Sequence, residues 1–175
     1  MEIKMIAADW ESLIVLFRAF KADDMTLSQV VHLENVNELI QSQLKDYLKE
    51  KGELLAKAQI MIDAAKITMD KLRAKYIGQP DHPEILQFTN GFNAELDKDV
   101  NGRLEKLQMA EKDIEIQDNW IESLQKIYVR QAFFGDGGYH NNHLGRAAYV
   151  RTLKALGIPT EAVEEIDKER TKEVK

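Results

Sequence analysis

The chain contains no cysteine, so disulfides and thiolate metal sites are excluded, and nothing in it requires an oxidising compartment. Three prolines and nine glycines in 175 residues leave long stretches without helix breakers. The longest purely apolar run, Leu13 to Phe17, is far too short to span a bilayer. Met1-Glu2-Ile3-Lys4 lacks the basic start and long apolar stretch of a secretory signal, so a cytoplasmic location is expected. Reactive motifs are missing as well. Gly135, Gly137 and Gly138 make no phosphate loop, because no Gly-Lys-Ser/Thr follows at the required spacing. There is no Gly-x-Ser-x-Gly and no cysteine nucleophile. No Glu-x-x-His pair is present to hold a dinuclear metal centre in a bundle. The chain is therefore not expected to be an enzyme or to carry a cofactor.

What is present is apolar patterning and an uneven charge. Hydrophobic content of 44% and charged content of 31% match a folded chain and exclude a disordered one. The net charge is −6, an acidic balance. Residues 126–154 invert it locally, with Lys126, Arg130, Arg146, Arg151 and Lys154 against Asp136 alone. A basic segment on an acidic body points toward a charged partner there, or only to a solvated face.

The periodicity predicts an all-α protein. Asp9 is placed to cap a helix over about residues 10–21, with Trp10, Leu13, Ile14, Phe17 and Phe20 on one face. Thr26 and Gln29 have capping-box spacing and open a long helix. Its rows are Val30, Asn37, Leu44, Lys51, Ala58, Ala65, Leu72 and Leu33, Ile40, Tyr47, Leu54, Met61, Thr68. A third row, Leu48, Leu55, Ile62, Met69 and Tyr76, makes the stripe wider than a two-stranded coiled-coil seam needs, which points to packing by more than one helix, through intramolecular neighbours or self-association. A turn at 78–84 follows, with Pro83 suited to the first position of the next helix. The second apolar row runs Ile85, Phe88, Phe92, Leu96, Val100, Leu104, Leu107, Ala110, Ile114, Ile121, Leu124, Tyr128. The spacing continues through Gly52, Gly91 and Gly102, so a long antiparallel helical hairpin is expected over 26–133, with soft points at the glycines. The expected organisation is an apolar N-terminal helix (1–25), the coiled-coil-like hairpin (26–133), then a Gly-rich loop and two short helices (134–175). The first of those two helices, about 143–156, is capped by Asn141 or Asn142 and ended by Gly157 and Pro159. Thr160 opens the second.

The segment 128–149 departs from the rest. It concentrates aromatics, glycines and two histidines in a loop that a helical arm does not require. As a helix corner, Phe133 and Phe134 would plug the end of the bundle. As a contact patch, Phe133, Phe134, Tyr139, His140, His143, Arg146, Tyr149, Arg151 and Lys154 combine aromatic anchors with cations, the composition of binding hot spots. The same basic-aromatic mix suits nucleic acid, although the acidic body opposes it. Asp136, His140 and His143 could supply metal ligands, but a further ligand is missing. The expectation is a non-enzymatic protein–protein interaction module (scaffold, adaptor or inhibitor) that binds another protein or itself as a homo-oligomer, without a membrane. Nucleic-acid association through 126–154 and metal-dependent activity at His140/His143 are the alternatives.

Overall fold

The computed structural model describes residues 1–18, 25–127 and 146–158, without the side chains of Leu16 and residues 146–150. The elements are β1 (Glu2–Ile6), α1 (Ala7–Phe17), α2 (Leu27–Gln43), α3 (Lys45–Lys75), α4 (Pro83–Leu96), a π turn (Asp97–Asn101), α5 (Gly102–Gln108), β2 (Glu111–Glu115), α6 (Asp118–Ile127) and α7 (Arg146–Ala155). The protein is mostly helical, with one small sheet among the described residues. The chain divides into two compact units: residues 1–45 with 110–175, and residues 46–109.

The first unit is built on a sheet that helical periodicity did not reveal. β1 pairs antiparallel with β2, with Ile3 opposite Ile114 and Met5 opposite Lys112. Ile3 and Met5 point inward while Glu2 and Lys4 face solvent, the period-two alternation of a half-buried strand. Lys4 closes an exposed ion pair with Glu111 at 2.7 Å. The ladder continues beyond both ends, through Ala7 N–H to the Ala110 carbonyl and Ile116 N–H to the Met1 carbonyl. This strand overturns the expectation of one helix running from residue 84 to 133. Ile114 in β2 and Ile116 just beyond its end alternate about Glu115, and both are buried.

β1 runs directly into α1, so α1 starts at Ala7 and Asp9 lies inside its first turn. The expected cap at Asp9 is corrected accordingly. Trp10, Leu13, Ile14 and Phe17 are buried as expected, and the Trp10 indole N–H donates to the Lys112 carbonyl at 3.0 Å. α1 packs on β1, α2 and α7, and α2 packs on α6, where His32 Nδ1 and Ser123 Oγ lie 2.7 Å apart. Val36, Ile40, Ile121, Leu124 and Ile127 fill the space between these helices. The capping box at α2 is present. Thr26 Oγ1 accepts from Gln29 N–H at 3.2 Å, and Gln29 Oε1 accepts from Thr26 N–H at 2.9 Å. Asn37 Oδ1 is shut from solvent and has no hydrogen-bond partner among the described residues. α7 ends as expected at Gly157, whose φ is +71°. Gly157 N–H donates to the Lys154 carbonyl and Ile158 N–H to the Leu153 carbonyl, a Schellman motif sealed by the buried Leu153 and Ile158 side chains.

The second unit holds most of α3, then α4, the π turn and α5. α3 passes through Gly52 and α4 through Gly91 without interruption. Pro83 opens α4, and His82 Nδ1 caps it by accepting from Glu84 N–H at 3.3 Å. Gly78, at φ +78°, turns the chain between α3 and α4. The π turn has a cause in the sequence. Phe88, Phe92, Leu96, Val100 and Leu104 are each four apart, and such a run drifts around an α-helix of 3.6 residues per turn. A wider turn at 97–101 resets the face, and Val100 is buried. Gly102 suits this turn, because a Cβ there would lie 3.1 Å from the Asp97 carbonyl oxygen.

Candidate functional site

Most of the segment that the sequence singled out, including Phe133, Phe134, Tyr139, His140 and His143, lies outside the described residues. So do Phe20, Tyr128, Arg130, Asp136, the caps Asn141 and Asn142, and the expected last helix after Thr160. Arg146 and Tyr149 stand in α7, and Lys154 is exposed on it. Arg151 is brought to α1. Its Nε donates to Asp9 Oδ2 at 2.9 Å and its Nη2 to Asp9 Oδ1 at 3.0 Å. The Asp9 side chain is 6% exposed and that of Arg151 is 53% exposed. The hydrogen bonds to Asp9 raise the Arg151 guanidinium further above its ordinary value. Planar, bidentate pairing of this kind fixes α7 against α1. Among the described residues no cluster of metal-ligating side chains occurs. No helix among them is long and apolar enough to cross a membrane.

Residues 46–109 show a different feature. Tyr47, Leu54, Ile85 and Val100 are buried there, whereas Leu48, Leu55, Ile60, Ile62, Ile67, Ile77, Leu86 and Met109 are exposed. A unit with more large apolar side chains exposed than fully buried has a sparse core, and exposed apolar rows of this kind mark contact surfaces. Leu48, Leu55 and Ile62 recur every seven residues along α3 at 36%, 49% and 43% exposure. They belong to the third row that the sequence set apart from the seam.

Another flank of α3 is concave. A groove of about 530 Å³ runs between α3 and α4, lined by Met61, Ala64, Ala65, Thr68, Phe88, Gly91 and Phe92. Lys57, Glu95 and Asp99 rim one end. Lys57 Nζ donates to Asp99 Oδ2 at 2.8 Å, and this bond holds the Asp99 carboxyl below its ordinary range. Two more ion pairs join α3 to the later elements: Glu50 with Arg103 at 3.5 Å and Lys75 with Glu84 at 3.1 Å. The Glu84 carboxyl is lowered by hydrogen bonds from Tyr76 and Lys75. Tyr76 also stacks on His82, with ring centroids 3.5 Å apart. The period of seven announced the exposed row. The groove was not legible, because it needs α4 laid beside α3.

The chain matches no protein-family model, no curated protein and no solved structure.

Proposed function

We propose that this protein is a non-enzymatic protein–protein interaction module whose docking arm is residues 46–109. The observation that carries the reading is the exposed heptad row Leu48, Leu55 and Ile62 on a unit that buries only four large apolar side chains. The arm is read as an antiparallel, coiled-coil-like hairpin. Three ion pairs support this, since positions rising along α3 (50, 57, 75) meet positions falling along α4 to α5 (103, 99, 84). Aromatic and cationic residues of the 133–154 segment form a second contact patch in the same reading, with Lys154 exposed. Arg151 is engaged by Asp9, so nucleic-acid binding through it draws no support from its geometry.

The test is capture from the native extract with and without nuclease, using the parent chain and Leu55→Glu/Ile62→Glu. Both positions are exposed, so the variant is expected to keep its fold. A protein partner that survives nuclease and is lost with the double variant is the expected result. Capture of a protein other than this chain that survives the double variant, or that nuclease abolishes, rejects the docking arm.

A further inference from the structure

We infer that the α3–α4 groove is closed by a second copy of this chain, packed antiparallel across a two-fold axis. This rests on reading 46–109 as an interaction arm, and it assigns one flank of that arm to the chain itself. At 100° per residue, Met61, Ala64 and Thr68 lie about 100–160° around α3 from Ile62, so most of the groove lies on a different flank from the exposed heptad row, with Ala65 between them at about 60°.

The groove face has a self-complementary order along α3. Glu50, Glu53 and Lys57 stand on one side of its centre, Lys71 and Lys75 on the other; Glu50, Lys57 and Lys75 are ion-paired within the chain to Arg103, Asp99 and Glu84, so the charge order rests on exposed Glu53 and exposed Lys71. A two-fold axis midway between Met61 and Ala64 sets Glu53 within one residue of Lys71 of the second copy. It also sets Met61 against Ala64, a large side chain against a small one. A surface whose charge order reverses about its own centre meets itself favourably when antiparallel and unfavourably when parallel. Ala64 and Gly91 admit close approach, with nothing within 4 Å of a Cβ built at Gly91. Half-buried Phe88 and Phe92 gain cover. The two chains then form a four-helix bundle, the usual way for helix pairs to bury such faces.

The area suffices. From Glu50 to Lys75 the face is about 39 Å long at about 1.5 Å per residue. Two helices, each about 10–12 Å across with its side chains, present a width of roughly 20 Å. The resulting ~800 Å² per copy is that of a standard stable interface.

The test is sedimentation equilibrium of the full chain and four variants, with circular dichroism as the fold control. The parent is expected at about twice its 20.1 kDa. Ala64→Glu, at an exposed helical position, should weaken self-association at least about tenfold by placing a charge in the seam. Glu53→Lys alone and Lys71→Glu alone should each weaken it. An equimolar mixture of these two should recover the dimer, because both contacts of the mixed pair regain opposite charges. Leu55→Glu/Ile62→Glu should stay dimeric. A monomeric parent, a dimer indifferent to Ala64→Glu, or a mixture that fails to recover overturns the inference. A monomer that still captures a protein through Leu55 and Ile62 overturns the second copy alone and leaves the docking arm standing.

Discussion

Replacing Arg151 with glutamine measures how far one ion pair holds α7 to α1. The pair comprises two charge-assisted hydrogen bonds, at 2.9 and 3.0 Å, to a carboxylate that is almost fully buried. Stranding a charge inside a fully buried pair costs about 3–5 kcal/mol. Here the guanidinium side is half solvated, so water replaces part of what is lost. Asp9 also sits in the first turn of α1, where the helix dipole returns roughly 0.3–1 kcal/mol. The expected cost is therefore about 2 kcal/mol, within the range for hydrogen bonds to charged groups. In a chain of this length that lowers the melting midpoint by about 4–8 °C. Urea denaturation, followed by tryptophan fluorescence and circular dichroism, reads the loss. Asp9→Asn/Arg151→Gln should recover part of it, leaving a coupling energy of about 1–2 kcal/mol between the two sites. An Arg151→Gln chain within about 0.5 kcal/mol of the parent refutes the reasoning, as do two single losses that simply add. The result also decides how nucleic-acid binding should be probed. Reversing Arg151 disturbs the fold, so Lys154→Glu is the cleaner variant.

Gly157→Ala forces a side chain into left-handed backbone and toward Gln125 Nε2 at 3.3 Å, and it should destabilise by about 1–2 kcal/mol in a urea titration. Gly52→Ala is the opposite case. The glycine lies inside α3 with open space around a Cβ, so the substitution should stabilise by about 0.5–1 kcal/mol, seen as a raised melting temperature. Acid should weaken the 46–109 unit. Glu84 and Asp99 have folded values below their ordinary ones, so their contribution is present above the ordinary carboxylate range and lost as pH falls through the folded values. Amide exchange within α3 and α4, corrected for the intrinsic rate, should therefore show less protection at pH 3 than at pH 7, and greater protection at pH 3 would contradict this.

Local chemistry was legible in the sequence where it acts within a few residues. Thr26 with Gln29, Pro83 at the start of α4 and Gly157 after α7 all act where their spacing placed them. Each is decided by nearby backbone donors and acceptors, which a window of sequence contains. The sheet was not legible, because β1 and β2 are more than a hundred residues apart and neither is stable alone. A trace of it existed. Ile3 and Met5 alternate, Ile114 and Ile116 alternate, and the helical row skips from Ile114 to Ile121. A stride of four read across that gap joined two elements that the fold separates. Asp9 was misplaced for a related reason, since its use depends on Arg151, 142 residues away. The exposed row at Leu48, Leu55 and Ile62 was visible as surplus apolar surface, because two helices meeting along one seam need only two rows. The groove beside Met61 and Ala64 was hidden for the opposite reason, its residues being small or shared with α4.

The most direct test of the docking arm is photo-crosslinking in the native extract from a photoreactive phenylalanine at position 55, with position 49 as control. Lys49 is exposed on the same helix about 100° around from Leu48, off the apolar row. A discrete crosslinked protein from position 55, absent from position 49, is the predicted result. Equal or absent crosslinking from the two positions would mean that the heptad row faces only solvent, and the arm would lose its role.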